Sequence, residues 1–134
     1  MNDKAGAVIV VADDDRDICE LIKMQLTRHG FQVFIADNGE SAMELIAEHK
    51  PAVALLDIMM PKLSGLEVAR QIRENPALST VSIMLISARS SGRLEADLED
   101  LNIKDYITKP FSPQELVQRI NDVINNPQTT DRDI

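Results

Sequence analysis

Short apolar runs of strand length alternate along this chain with longer segments of helical period. Such alternation is typical of repeated strand–helix–strand units, which build a parallel sheet. Five strands are predicted, at Ala7–Ala12, Gln32–Ala36, Ala52–Leu56, Val81–Ile86 and Lys104–Thr108. The sequence therefore predicts a single α/β domain.

Five segments of helical period lie between the strands or follow them. The first ends before Gly30, the second begins near Glu40, and the third runs from about Gly65 to Glu74. The fifth is marked best, because Ser112–Glu115 supplies an N-cap, a proline in the first turn and a glutamate that closes a capping box. The fourth has a leucine seam among acidic residues, and we expect a weakly anchored helix there. The apolar residues of the first and fourth helices are Ile18, Leu21, Ile22 and Leu26, and Leu94, Leu98 and Leu101.

Length, charge and cysteine content narrow the class of protein. A chain of 134 residues with 44% hydrophobic residues can bury a core of its own. Cys19 is the only cysteine, which excludes a disulfide framework and favours a reducing, cytoplasmic setting. A net charge of -8 disfavours direct binding to nucleic acid, because contacts with phosphates need clustered lysine and arginine. No apolar stretch approaches the roughly 20 residues of a membrane span.

Charged and hydroxyl residues follow four of the five predicted strands. Asp13 and Asp14 follow the first strand, Asp57 the third, Ser87 the fourth and Lys109 the fifth. Ligands of an open parallel sheet bind at the carboxyl ends of the strands, so these residues are expected to converge on one pocket. Carboxylates, a hydroxyl and an amine in one pocket favour the handling of a phosphoryl group with a divalent cation.

The acidic run Asp13–Asp15 is longer than a helix cap requires. Asp15 is well explained as a cap of the first helix. Two carboxylates about 4 Å apart repel by roughly 4 kcal/mol at an effective dielectric near 20, so Asp13 and Asp14 beside Asp57 are costly without a cation. Mg²⁺ is the predicted ion, because it prefers oxygen ligands and binds through one or two carboxylates plus a phosphate oxygen.

Asp57 is the predicted nucleophile of this pocket. Pro61 and Gly65 follow it closely, which places its carboxylate on a loop that turns away from the sheet. A carboxylate there can attack phosphorus and form an acyl phosphate. We expect Lys109 to pair with Asp57 at rest and with a phosphoryl oxygen after transfer, and Ser87 to donate to another phosphoryl oxygen. The ordinary alternatives are a turn aspartate, a solvated surface lysine and a serine that starts a helix.

From about Ala7 to Ile124 the chain resembles the receiver domain of two-component response regulators. The matching strings are VVADDDRDI, LLDIMMPKLSGLE, IMLISAR and DYITKPF, in this order. The resemblance implies a CheY-like, flavodoxin-like fold: a doubly wound parallel sheet of five strands in the order 2-1-3-4-5, flanked by five helices. It further implies that Asp57 is the phosphoacceptor. Mg²⁺ would be held by Asp13, Asp14, Asp57 and the backbone carbonyl of Met59.

The same resemblance implies how the phosphoryl group acts as a signal. Lys109 and Ser87 would bind it, and Tyr106 would be the switch aromatic that turns inward as Ser87 is drawn toward the new charge. The surface of the fourth helix, fifth strand and fifth helix would then change its affinity for a downstream protein or output domain. The donor would be a phosphohistidine of a sensor histidine kinase or phosphotransfer protein, or a small acyl phosphate. The resemblance also favours a cis peptide bond at Lys109–Pro110.

Domain limits and oligomeric state are predicted from the same features. We expect the receiver domain to cover residues 1–126, and residues 127–134 to form a disordered tail or a linker stub. The fourth-helix pattern differs from that of relatives that form charge-paired dimers, so we expect a monomer or a weak homodimer. Asp97, Asp105 and Arg119 are the candidate partners for charge pairs between subunits.

Two other classes of function are less compatible with these residues. An aspartate-nucleophile phosphatase needs a second aspartate two residues after the nucleophile, where this chain has Met59. A flavodoxin-like cofactor binder needs glycine, serine or threonine after the first strand, where Asp13–Asp15 would repel a phosphate. The predicted function is therefore that of a regulatory phosphoacceptor, with no enzymatic activity beyond its own phosphorylation and dephosphorylation.

Overall fold

One parallel sheet organises the computed structural model, which describes residues 6–88 and 99–125. Its order is β2-β1-β3-β4-β5, and every neighbouring pair is parallel. Each strand begins and ends within one residue of its predicted position. The fold class and the strand order are confirmed. The strands are β1 (Val8–Ala12), β2 (Gln32–Ala36), β3 (Val53–Asp57), β4 (Ser82–Ser87) and β5 (Asp105–Thr108).

Four α-helices are present in the described part of the chain. Glu99 and Asp100 are also helical, but most of the predicted fourth helix falls on residues 89–98, which lie outside the described residues. The predicted tail, residues 127–134, lies outside them too. No helix within residues 6–88 or 99–125 is long and apolar enough to cross a membrane. The helices are α1 (Arg16–Arg28), α2 (Gly39–His49), α3 (Gly65–Glu74) and α4 (Pro113–Asn125), with a short 3₁₀ turn at Pro76–Leu78. The helix labelled α4 corresponds to the fifth predicted helix.

The helices cover both faces of the sheet, so the chain has two apolar cores. Successive side chains of a strand point to opposite faces. Ile9 and Val11 of β1 therefore join the core under α1 and α4, whereas Val10 and Ala12 join the core under α2 and α3. Burial on both faces explains why the strands read as continuous apolar runs.

The first helix begins where the sequence predicts. The Asp15 carboxylate caps α1 by accepting hydrogen bonds from two amides of the first turn, at 3.0 and 3.3 Å. Cys19, Ile22 and Leu26 face the sheet and are buried. Leu21, which the helical spacing grouped with these residues, is 39% exposed. It lies about 100° around the helix from Ile22, away from the sheet.

Arg73 ties together the amino edge of the sheet, where the strands begin. Its guanidinium, in the last turn of α3, donates hydrogen bonds to the carbonyls of Leu101 at 2.7 Å, Val81 at 3.1 Å and Asn102 at 3.2 Å. Burial lowers the pKa of this guanidinium. These bonds hold the segments that lead into β4 and β5 against the end of α3.

Candidate functional site

The predicted strand-end residues meet at the carboxyl edge of the sheet. Asp13 directly follows β1, Asp57 ends β3, and Lys109 directly follows β5. One carboxylate oxygen from each of Asp13, Asp14 and Asp57 lies within 4.8 Å of the others. The Lys109 ammonium Nζ lies 2.8 Å from Asp13 Oδ2 and 3.0 Å from Asp57 Oδ2. The predicted convergence of these groups and the pairing of Lys109 with Asp57 are thus present in the structure.

The Asp57 carboxylate is 3% exposed and is held by two donors. Its Oδ1 accepts a hydrogen bond from the amide of Met59 at 3.1 Å, and its Oδ2 accepts one from Lys109 Nζ at 3.0 Å. Burial raises the pKa of Asp57, and the nearby charge of Asp13 adds to this effect. The two hydrogen bonds oppose the rise without cancelling it. The carboxylate is therefore orientated by the protein and poorly hydrated.

Asp13 is fully buried, and its two carboxylate oxygens have different partners. Oδ1 accepts a hydrogen bond from the amide of Asp15 at 2.8 Å. Oδ2 is close enough to Lys109 for an ion pair, yet the contact lacks hydrogen-bond geometry, and Oδ2 accepts no hydrogen bond from the described residues. A buried carboxylate oxygen whose described partner is an ion-paired ammonium can also serve as a ligand of a cation.

Lys109 supplies positive charge to this acidic cluster. Burial alone would lower the pKa of its ammonium, but the close contacts with the negative charges of Asp13 and Asp57 outweigh burial and raise it. Lys109 is therefore protonated at neutral pH. The cluster contains three carboxylates and this one ammonium, so it keeps a surplus of negative charge that suits a divalent ion.

The backbone after β3 is fixed against the rest of the sheet. The Ile58 amide donates to the carbonyl of Ile86 in β4 at 2.9 Å, and the Gly65 amide donates to the carbonyl of Ile58 at 3.0 Å. A Cβ at position 65 would collide with the carbonyl group of Asp57. Glycine at the start of α3 therefore allows the chain to return close beside Asp57.

The three remaining predicted site residues lie at or near this edge. Ser87 ends β4, is buried, and comes one residue after Ile86, the register partner of Asp57. The side chain of Met59 is 70% exposed beside Asp57. Tyr106 lies in β5 and is partly buried against the core under α2 and α3. The Lys109–Pro110 peptide bond is cis, as the resemblance favours.

Two of the three charged residues considered for contacts between subunits, Asp105 and Arg119, pair with each other within the chain. Arg119 of α4 contacts the Asp105 carboxylate of β5 at 3.2 Å and Glu115 at 3.3 Å, and it donates to the carbonyl of Tyr106 at 3.2 Å. Asp97 lies outside the described residues. These contacts fasten α4 to the backbone of β5.

Cys19 lies directly beneath the site but has no reactive character. Its thiol donates to the carbonyl of Asp13 at 3.2 Å, and it is buried in the core under α1. Burial raises the pKa of the thiol to about 12, and the negative charge of Asp13 acts in the same direction. Cys19 therefore remains a packed thiol rather than a nucleophile.

Comparison with known proteins decides the family. The model of the response regulator receiver domain matches residues 9–121. The chain belongs to this family. It is thus the receiver domain of a two-component response regulator, a class of regulatory domain that acts with histidine kinases and output domains. The acidic pocket of Asp13, Asp14 and Asp57 fits the phosphoacceptor site of such a domain.

Individual relatives of this receiver domain agree with the family model. The transcriptional regulatory protein SrrA of Staphylococcus aureus is 35% identical over 126 residues, which cover 94% of this chain and 51% of SrrA. This chain therefore spans about half the length of that relative. The receiver domain of the Francisella response regulator 1452 is 30% identical, with a TM-score of 0.82, and the match covers 92% of this chain and 100% of the other. The chemotaxis response regulator CheY4 of Vibrio cholerae shares the fold, with a TM-score of 0.82 at 21% identity over 89% of this chain and 99% of its own.

Proposed function

We propose that this receiver domain accepts a phosphoryl group on Asp57 in a reaction that requires Mg²⁺. The observation that carries the proposal is the placement of Asp57. Its carboxylate is buried and accepts a hydrogen bond from the Lys109 ammonium. One of its oxygens also lies within 4.8 Å of carboxylate oxygens of Asp13 and Asp14. A phosphoryl group that arrived there would meet the Lys109 ammonium and an acidic cluster that can hold a cation.

The residues of this pocket fit Mg²⁺. The proposed ligands are carboxylate oxygens of Asp13, Asp14 and Asp57 and the backbone carbonyl of Met59. Oxygen donors are those that Mg²⁺ prefers, and the fully buried Asp13 Oδ2 accepts no hydrogen bond from the residues that the structure describes. An ion held by these residues would offset the surplus of negative charge and would supply electrostatic stabilisation to a phosphoryl group on Asp57.

The chain's own residues position and stabilise the transferred group. An oxygen of the Asp57 carboxylate attacks phosphorus while the bond to the leaving group breaks, and the leaving group keeps the electron pair. That leaving group is the imidazole of a phosphohistidine, on a sensor histidine kinase or phosphotransfer protein, or the carboxylate of a small acyl phosphate. Lys109 then pairs with a phosphoryl oxygen, and Ser87 donates a hydrogen bond to another.

The proposed output runs from the phosphoryl group to the surface of the predicted fourth helix, β5 and α4, where α4 is the fifth predicted helix; most of the predicted fourth helix lies outside the described residues. Ser87 is drawn toward the added charge, and Tyr106 turns inward on the strand beside it. The affinity of the surface for a downstream protein or output domain then changes.

We propose that the receiver domain covers residues 1–126, with a tail or linker stub at residues 127–134. We also propose a cytoplasmic setting.

The proposed self-association is weak, and the proposed chemistry stops at Asp57 itself. Asp105 and Arg119 satisfy each other within one chain, which favours a monomer or a weak homodimer. Met59 stands where a phosphatase would have a second acid, so the chain lacks a group there to protonate a leaving alcohol. The excess of acidic residues opposes direct binding to nucleic acid. The chain therefore phosphorylates and dephosphorylates itself without turning over external esters.

Incubation with acetyl phosphate and Mg²⁺, followed by intact mass measurement, tests this function. The native chain is expected to gain one phosphoryl group, and the Asp57→Asn variant to gain none. Asp37→Asn is a matched control, because Asp37 follows β2 at the same edge of the sheet but has an exposed side chain. It should be labelled like the native chain. Labelling of Asp57→Asn, labelling of a histidine, or turnover of an external phosphate ester would contradict the proposal.

A further inference from the structure

The loop between β3 and α3 contains a strained turn. The amide of Leu63 donates to the carbonyl of Pro61 at 2.8 Å, which closes a three-residue turn around Lys62. Lys62 has a φ of 72°, in the left-handed region that a residue with a Cβ rarely adopts. Such γ-turns are rare and costly, so neighbouring structure must hold them in place.

The first turn of α2 supplies that support. The amide of Gly39 donates to the carbonyl of Pro61 at 3.3 Å, and Glu40 pairs with Lys62 at 3.8 Å. The backbone of Gly39 lies so close to Leu63 that a Cβ at position 39 would collide with the carbonyl oxygen and the Cβ of Leu63. The start of α2 and the strained turn are therefore in direct backbone contact.

Close approach, and not backbone conformation, explains glycine at position 39. The positive-φ glycines of the described chain are Gly6 and Gly30, so Gly39 adopts a conformation open to any residue. It is also the first residue of a helix that Asn38 caps through the amide of Ser41 at 2.9 Å. Alanine would favour this helix more than glycine does. Local structure thus gives no reason for glycine, whereas contact with Leu63 does.

The supported loop leads directly to the phosphoacceptor. Met59 lies two residues before Pro61, and its amide binds Asp57 Oδ1 at 3.1 Å. Beyond the turn, Gly65 returns the chain to the carbonyl of Ile58. The segment that orientates Asp57 is therefore fixed at its two ends by the sheet and α3, and at its middle by α2.

We propose that Gly39 is a positioning residue for the phosphoacceptor site: its contact with Leu63 holds the strained turn at Lys62 and so sets the position of Met59 against Asp57. This inference rests on the proposed function, in which Met59 contributes its carbonyl to the Mg²⁺ site. A displaced turn would move that carbonyl and the amide that orientates Asp57. The strand-end residues themselves would keep their places.

The test is a titration of the isotope-labelled chain with Mg²⁺ alone, followed by nuclear magnetic resonance. Gly39→Ala is expected to weaken Mg²⁺ binding by about tenfold, a typical cost of disturbing a group that supports a metal ligand. Phosphorylation by acetyl phosphate should slow at low Mg²⁺ and recover at saturating Mg²⁺. A Mg²⁺ affinity equal to that of the native chain would overturn the inference.

Gly30→Ala is the matched control. Gly30 has a φ of 93°, so alanine there is strained, but a Cβ at this position has nothing within 4 Å. It lies just before β2, at the opposite edge of the sheet from Asp57. Gly30→Ala should lower the stability of the chain and leave its Mg²⁺ affinity unchanged. If both variants weaken Mg²⁺ binding equally, general destabilisation explains the result and the inference fails.

Amide exchange in the native chain tests the inference even if Gly39→Ala does not fold. Coupling between two sites is reciprocal, so Mg²⁺ should stabilise the contact between α2 and the turn. With Mg²⁺ the exchange of the Gly39 and Leu63 amides is expected to slow by a larger factor than the exchange of the Gly30 amide, which reports the general stabilisation by the bound ion. Equal exchange at Gly39 and Leu63 in both conditions would overturn the inference. If the native chain neither binds Mg²⁺ nor accepts a phosphoryl group, the proposed function itself fails.

Discussion

Both edges of the sheet hold charged side chains that are at least partly buried, but the groups that pair with these charges differ. At the amino edge, the Arg73 guanidinium donates to three backbone carbonyls. At the carboxyl edge, Asp13 and Asp57 are buried beside Asp14 and share the Lys109 ammonium. Asp13 Oδ2 accepts no hydrogen bond there from any described residue.

This difference separates a structural use of charge from a functional one. At the amino edge, backbone carbonyls of the protein itself satisfy the half-buried Arg73 guanidinium, so this contact contributes to stability. The carboxyl edge keeps more negative charge than the protein neutralises, which is unfavourable for folding alone. That surplus is explained if a cation and a phosphoryl group complete the site.

The largest expected effect on stability is at the amino edge. Arg73→Ala removes three hydrogen bonds from a charged donor, and the three acceptor carbonyls must then be satisfied by water. We expect the free energy of unfolding to fall by about 2–4 kcal/mol. Urea unfolding, monitored by circular dichroism, measures this loss.

Arg70→Ala is the control for this prediction, because Arg70 lies on the same helix with an exposed side chain. Its loss should change stability by less than about 0.5 kcal/mol. Arg73→Ala should also bind Mg²⁺ as tightly as the native chain. A large loss of Mg²⁺ affinity would break the distinction between the two edges.

A smaller effect is expected at the carboxyl edge and depends on pH. Burial lowers the pKa of Lys109, but Asp13 and Asp57 outweigh it, so the folded chain holds this proton more tightly than the unfolded chain. The resulting stabilisation is complete below the ordinary lysine pKa of about 10.4, and it is lost as pH rises through the higher folded value. Without Mg²⁺, native stability should therefore fall more steeply above about pH 10 than that of Lys109→Met, by up to about 1.4 kcal/mol per pH unit.

Lys23→Met, which removes an exposed lysine from α1, is the matched variant for that experiment. Its pH profile should run parallel to that of the native chain. Parallel profiles for Lys109→Met and the native chain would show that the two carboxylates do not hold the proton of Lys109 in the folded state.

The smallest expected effect concerns the layer beneath the carboxyl edge. Cys19→Ala removes a weak donor to the carbonyl of Asp13 and leaves a small cavity. We expect a loss of about 1 kcal/mol in urea unfolding. Mg²⁺ affinity should not change, because the thiol contacts the backbone of Asp13 and not its carboxylate. A marked drop in Mg²⁺ affinity would mean that packing under α1 also shapes the site.

The sequence predicts the sheet and the strand-end cluster well because both follow from local patterns. Strands buried on both faces read as apolar runs, and the carboxyl ends of parallel strands share one edge. Asp57 and Lys109 are 52 residues apart in sequence, yet their pairing could be expected from the strands that carry them. The cap at Asp15 follows from the order of residues alone.

The contacts that escaped prediction are made through the backbone. The role of Arg73 could not be predicted, because its acceptors are backbone carbonyls, which every residue has. The contact of Gly39 with Leu63 depends on how closely α2 approaches the loop between β3 and α3, which the sequence pattern does not determine. The exposure of Leu21 shows a related limit, since apolar spacing alone does not fix which side of a helix meets the sheet.

Mg²⁺-dependent stability, compared between the native chain and Asp13→Asn, tests the central claim most directly. At a Mg²⁺ concentration 100 times the dissociation constant, the native chain should gain about 2.7 kcal/mol in urea unfolding. Asp13→Asn should gain almost nothing, because it lacks a buried carboxylate that would hold the ion. An equal gain in both chains, or no gain in the native chain, would contradict the account.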